Sequence, residues 1–212
     1  MSRKEEIIKK LQGMSGEYSV YTLFDDWIAM LSIAFAQAVD HKEDREEQYH
    51  QIAGKYSNEQ LEEFCRLNAL LVEAAEEKME DILGYIYMHL EMGSNRTGQF
   101  FTPYHICRMM GKAALTTHGN KEIYTVNEPS CGGGGNIIGF AEAMKERGLN
   151  YQRQLVATCF DLDKKAVNMC YVQCSLYGIP AKVRQQDTLC DPDGKHSSTG
   201  WLITPGYILR AV

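Results

Sequence analysis

Residues Gly132 to Gly135 are four glycines in a row, and nothing else in the chain constrains its fold as much. Glycine loses more backbone freedom on ordering than any other residue, so four together are a costly way to make a plain turn. Without Cβ atoms the backbone can turn sharply and lie directly against a ligand. The run Glu122-Ile123-Tyr124-Thr125-Val126 before it reads as a strand, and Asn136 to about Arg147 after it reads as a helix. The first N–H groups of such a helix point back at the loop. Open α/β sheets bind ligands at the carboxyl ends of their strands, which is where this loop falls. Two familiar phosphate sites are excluded. A P-loop needs Lys and then Ser or Thr after its glycines, and Asn136-Ile137-Ile138 stand there. The dinucleotide fingerprint needs a third glycine where Ile137 or Ile138 stands.

The same alternation continues downstream. Leu155 to Phe160 reads as a second strand, Lys164 to Tyr177 as a helix, and Ala181 to Gln186 as a third strand. Strand, helix, strand, helix, strand predicts an α/β fold with a Rossmann-like parallel sheet. The last twenty-five or so residues show no clear period. Upstream the texture is helical. Ile7, Ile8 and Leu11 share a face, as do Leu23, Phe24, Trp27, Ile28, Leu31 and Phe35 within Val20 to Val39. The charged stretch from His41 to Glu47 reads as a solvated helix face or turn. Ser57 and Gln60 have capping-box spacing ahead of Leu61, Phe64, Leu67 and Leu71. A further helix should run to about Leu90. Gly93-Ser94-Asn95-Arg96-Thr97-Gly98 interrupts the pattern, which predicts an all-α region over 1–93 and a Rossmann-like domain over 94–212. Thr102 and Pro103 read as the cap and first residue of a helix reaching about Thr116.

Three acids sit at predicted strand ends. Asp161 can accept hydrogen bonds from a ribose diol, with Leu162 packing on an adenine face, while Asp163 reads as a helix cap. Asp187 can accept from an exocyclic amine. The net charge is -6, against a broadly basic grip on nucleic acid, which needs local Lys and Arg to displace phosphate counterions. The seven cysteines have no CxxC spacing and read as buried thiols of a reducing cytoplasm, with no metal site. No run reaches the ~18 apolar residues of a membrane span, and the charged N-terminus does not read as a signal peptide. The expected location is the cytoplasm.

Gly98-Gln99-Phe100-Phe101-Thr102-Pro103 followed by a helix resembles the segment preceding the cofactor fold in type I restriction-modification methylation subunits and related adenine-N6 DNA methyltransferases. Glu128-Pro129-Ser130-Cys131-Gly132-Gly133-Gly134-Gly135 is similar to that family's Asp-Pro-Ala-Cys-Gly-Ser-Gly-Gly loop. Asp161-Leu162 resembles its ribose and adenine contact, and Gln186-Asp187-Thr188-Leu189 its contact to the adenine amine. The resemblance implies S-adenosylmethionine as cofactor. Phe101, Thr102 and Pro103 would close over its methionine part. Glu128, Ser130, Cys131, Gly132 and Gly134 would form its loop, and Asp161, Leu162, Asp187, Thr188 and Leu189 would take its nucleoside. It also implies methyl transfer to adenine in DNA and a specificity or catalytic partner subunit. One departure is Glu128 in place of the usual Asp. Another is the Asn/Asp-Pro-Pro-Tyr/Phe transfer motif: the five prolines are never adjacent, and Thr204-Pro205-Gly206-Tyr207 is the nearest string. Either that motif lies outside these 212 residues, or the chain is a silent cofactor-binding or adaptor subunit. A small-molecule methyltransferase on the same sheet is a third reading, disfavoured by the segment ending at Pro103.

Overall fold

The computed structural model describes residues 1–91, 101–117, 121–195, 197 and 199–210. The 93–98 boundary and Gly98, Gln99 and Phe100 lie outside the described residues. Helices α1 (Arg3–Met14), α2 (Val20–Val39), α3 (Glu43–Ala53), α4 (Asn58–Glu77), α5 (Ile82–Glu91) and α6 (Tyr104–Thr117) precede the first strand. Then follow β1 (Tyr124–Glu128), α7 (Gly135–Glu146), α8 (Tyr151–Gln154), β2 (Leu155–Asp161), α9 (Lys164–Leu176), β3 (Ala181–Gln185), β4 (Leu202–Ile203) and α10 (Pro205–Leu209).

The helices start where side chains can satisfy their first amides. Ser57 and Gln60 form the expected capping box at α4: Gln60 N donates to Ser57 Oγ at 3.3 Å and Ser57 N to Gln60 Oε1 at 2.9 Å. Ser2 and Glu5 form another at α1. The charged stretch after His41 is a full helix, α3, with Glu43, Asp44 and Glu46 in its first turn, where the helix dipole favours negative charge. By composition α2 is long and apolar enough to cross a membrane, contrary to the sequence expectation. Here Leu23, Phe24, Trp27 and Ile28 are buried in the common core, and α2 packs against α9.

The sheet order is β1-β2-β3-β4. β1, β2 and β3 run parallel, with Tyr124 opposite Leu155 and Ala157 opposite Ala181. β4 adds an antiparallel edge through Leu202 and Val183; with two residues it has no readable period. α7 and α9 pack against each other, as the right-handed crossover rule expects for helices joining sequential parallel neighbours. Accordingly Leu155, Ala157, Cys159, Ala181 and Val183 are fully buried, while the alternating Val156, Thr158, Lys182 and Arg184 are half-buried. α6 lies tightly along α7. A Cβ on Gly111 would come within 2.7 Å of Gly139 O, and one on Gly139 equally close to the Cys107 backbone.

One hydrophobic cluster joins the early helices to the α/β part, and polar bonds cross the same boundary. Ser32 donates to Asn168 at 3.2 Å, both buried. Gln173 of α9 does more. It accepts from Leu83 N at 3.0 Å and donates to Asp81 Oδ1 at 2.8 Å and Gly133 O at 2.7 Å. Truncating it would leave all three groups short of a partner in a dry interior, where each costs roughly 1–3 kcal/mol. Gln173→Ala should therefore lower the unfolding free energy by about 3 kcal/mol, allowing for water entering the space. Urea denaturation checks this; a loss below about 1 kcal/mol would show that the bonds are replaceable.

Candidate functional site

The glycine loop leaves β1 and enters α7 with two residues in the left-handed region, Gly132 at φ +51° and Gly134 at φ +96°. Residues with a Cβ rarely adopt that conformation. A Cβ at Gly132 would also lie 3.0 Å from the Phe101 ring, and one at Gly134 3.2 Å from Cys170 Sγ. Side chains hold the loop from both sides. Asp161 accepts from Gly132 N through Oδ2 at 2.8 Å and from Asp163 N through Oδ1 at 3.0 Å, tying the loop to the end of β2. Glu128 accepts from Ser130 N at 3.4 Å and from Asn136 Nδ2 at 3.0 Å. The longer acid thus spans the loop's two ends. Asp163 caps α9 through Lys165 N at 2.9 Å, as its sequence position suggested.

The loop borders a cavity of about 370 Å³, within the size range of small-molecule sites. Of the sequence-derived candidates, Phe101, Thr102, Ser130, Cys131, Gly132 and Asp161 line it. Phe101 is braced against Tyr87, with ring centroids 4.8 Å apart. Asp81, Cys107, Gly133, Gly135 and Asn136 also line it, and sequence reasoning missed them. For Gly133 and Gly135 the glycine run was the available signal. Asp81 stands just before a helix like any capping acid, and nothing local places it beside a loop fifty residues on. Asn136 Oδ1 is buried with no hydrogen-bond partner among the described residues.

The remaining candidates fall elsewhere. Leu162 and Asp187 line a shallower recess of about 270 Å³ with Gln185 and Gln186. Leu162 is 67% exposed. Asp187 Oδ1 accepts from Leu189 N at 3.1 Å and Cys190 N at 2.9 Å, and the Cys190 amide above all holds its pKa below the usual carboxylate value. Thr188 donates to Pro129 O at 3.0 Å, fastening the end of β3 to the glycine loop. Pro103 lines an adjoining cavity with Glu80, Tyr85 and Tyr104. Glu128, Gly134, Thr188 and Leu189 line none of these three. Thr102 is not the cap of α6. The helix opens at Tyr104, and it is the Pro103 carbonyl that accepts from Ile106 N and Cys107 N.

The model of the family of N-6 DNA methylases matches residues 78–204, more than half of the chain. The chain belongs to that family. No curated protein matches the sequence. Among solved structures, a protein from Listeria monocytogenes assigned as a class I S-adenosylmethionine-dependent methyltransferase shares the fold at 12% identity and a TM-score of 0.51. That match covers 98% of this chain and 68% of the listerial one. The type I restriction-modification methyltransferase subunit from Streptococcus thermophilus is also similar, at 12% identity and a TM-score of 0.47. There the match covers 93% of this chain and 59% of the streptococcal one.

Within this family member, Thr204-Pro205-Gly206-Tyr207 lies at the wrong end of the sheet to act as a transfer motif. Thr204 is fully buried; its hydroxyl accepts from Ala181 N at 2.9 Å and donates to Ile179 O at 2.8 Å. Ala181 opens β3, whereas the cavity lies at the strands' carboxyl ends. Among the described residues, no group of His, Cys, Asp and Glu could hold a metal ion. Cys65 and Cys190 are exposed, against the expectation of buried thiols; the other five are buried. Cys131, Cys159 and Cys174 around Cys170, together with burial, push its thiol pKa up, so it behaves as packing. Gly134→Ala would impose left-handed strain plus a close contact with Cys170. It should cost about 1–3 kcal/mol, read as a fall in melting temperature; an unchanged melting temperature would refute the strain.

Proposed function

We propose that this chain binds S-adenosylmethionine at the glycine loop and forms the cofactor-binding part of an enzyme that methylates the exocyclic amine of adenine in DNA. The observation carrying this reading is the cavity between the glycine loop and Phe101, with Asp161 holding the loop to β2. The residues present fit the cofactor. Each oxygen of Asp161 accepts one backbone amide, and a carboxylate offers about four acceptor sites, leaving capacity for a ribose diol. Asp187 takes both turn amides on Oδ1, and the several acceptor sites of a carboxylate leave capacity for an adenine amine. Exposed Leu162 offers the purine an apolar face. The recess holding Leu162 and Asp187 would take the nucleoside, and the cavity under Phe101 the amino-acid end.

When bound, the cofactor supplies an electrophilic methyl group on a sulfonium. This chain's residues grip and orient it. Gly132 and Gly134 let the backbone approach without a Cβ, and Phe101 covers the loop against water. Contact with the flipped adenine would come from a segment beyond these 212 residues or from a partner subunit. A partner would also supply the positive surface that a net charge of -6 does not favour here. The second reading, a silent cofactor-binding adaptor, draws on the placement of Thr204 to Tyr207 away from the cavity.

Calorimetric titration of the chain with S-adenosylmethionine should show saturable binding. Leu162→Ala and Asp187→Ala should each weaken it about tenfold, the effect of losing ~1.4 kcal/mol. Thermal stability should hold for Leu162→Ala, whose side chain is exposed, and fall only slightly for Asp187→Ala, which loses two exposed turn bonds. Absence of binding by well-folded wild-type chain would end the cofactor reading. Binding without methyl transfer to DNA, alone or with partner subunits added, would favour the adaptor.

A further inference from the structure

Beside the glycine loop, the cavity wall carries a buried carboxyl group with no salt bridge among the described residues. Asp81 precedes α5, is 7% exposed, and borders both the loop cavity and the adjoining one. Its two donors, Gly84 N at 2.9 Å and Gln173 Nε2 at 2.8 Å, both end on Oδ1. Among the described residues no donor reaches Oδ2. No Lys, Arg or His among them pairs with Asp81; Lys4, which borders the same wall, has its Nζ on Glu80 at 2.6 Å. The carboxylate sits in the room that two glycines leave, since a Cβ at Gly84 would lie 2.1 Å from Oδ2 and one at Gly135 3.0 Å, and from there it lines the loop cavity.

Capping α5 and meeting Gln173 require only an acceptor, which an amide would provide equally well. A buried carboxyl is costly to ionise unless a cation joins it, and here burial pushes its pKa up. A full carboxyl at this point, with one oxygen bare, suits a ligand that brings positive charge and N–H donors. The other acid of the cavity, Asp161, has each oxygen on a backbone amide. S-adenosylmethionine carries two cationic groups, and of these only the ammonium has hydrogens to donate.

We infer that Asp81 receives the ammonium group of the cofactor's amino-acid end, making the early helices part of the binding site. This rests on the cofactor reading above. Asp81→Asn keeps an acceptor for Gly84 and Gln173 while removing the charge, so the fold should survive. The test is calorimetric titration of wild-type chain and D81N with three ligands: S-adenosylmethionine, S-adenosylhomocysteine, and 5′-methylthioadenosine, which lacks the amino-acid end.

D81N should weaken the first two at least tenfold and leave 5′-methylthioadenosine within about twofold, with an unchanged melting temperature. Equal weakening of all three would assign Asp81 to loop positioning and overturn the inference, as would no weakening at all. Should D81N not fold, the wild-type chain still decides. It should prefer S-adenosylhomocysteine at least tenfold over its desamino analogue, and equal affinities would overturn the inference. A wild-type chain that binds 5′-methylthioadenosine but gains nothing from the amino-acid end refutes Asp81's role alone. One that binds none of these ligands refutes the cofactor reading, and the inference with it.

Discussion

The three bonds of Gln173 hold this structure's parts in register. One buried amide accepts from the first turn of α5 and donates to Asp81 and to the glycine loop's own carbonyl at Gly133. All of these groups are polar and buried, so a bond lost among them leaves a group that is costly to keep unpaired. The early helices therefore do more than cover apolar surface. Their placement sets the cavity wall beside the loop at Asp81, and Gln173 of α9 ties that wall to the loop.

The site is assembled the same way, by side chains that each serve two elements. Asp161 ends β2 and grips the loop that leaves β1. Thr188 ends β3 and reaches Pro129 of the same loop. Glu128 spans from the loop's start to the first turn of α7. The glycines permit a tight path but do not choose it, and these bonds select one path among those open to a flexible backbone. What results is a rigid floor of backbone under a cavity whose roof, Phe101, rests on Tyr87. Such prior organisation reduces the ordering that a ligand must bring about.

Chemistry and architecture part company at the chain's last elements. β4 and α10 close the sheet's β3 edge, and Thr204 serves there as a structural pin between the start of β3 and α10. Its string resembles a transfer motif only in composition. The family is established for this chain, and the cavity bordered by the glycine loop lies at the opposite end of the sheet from Thr204.

Much of this was legible in the residues because it is local. Capping at Ser57, the stripe through Leu23, Trp27 and Ile28, the strand runs and the glycine loop all depend on neighbours within a turn or two. The sequence by itself determined the order of the main helices and strands up to β3, the parallel core of the sheet, and the glycine turn between β1 and α7. It also carried the family resemblance, since the loop and strand-end acids are contiguous strings. The antiparallel β4 was not legible, because two residues have no period. Thr102 failed as a cap because α6 opens one residue later than its spacing suggests, with the Pro103 carbonyl taking the first amides. Only the tertiary structure decided that Leu162 and Asp187 sit in a recess apart from the loop cavity, and that Asp81 lines that cavity. Asp81 meets Gln173 across 92 positions of chain. No local pattern encodes such a meeting; it follows from packing α2 and α5 onto α9, which brings distant polar groups together where only each other, or a ligand, can satisfy them.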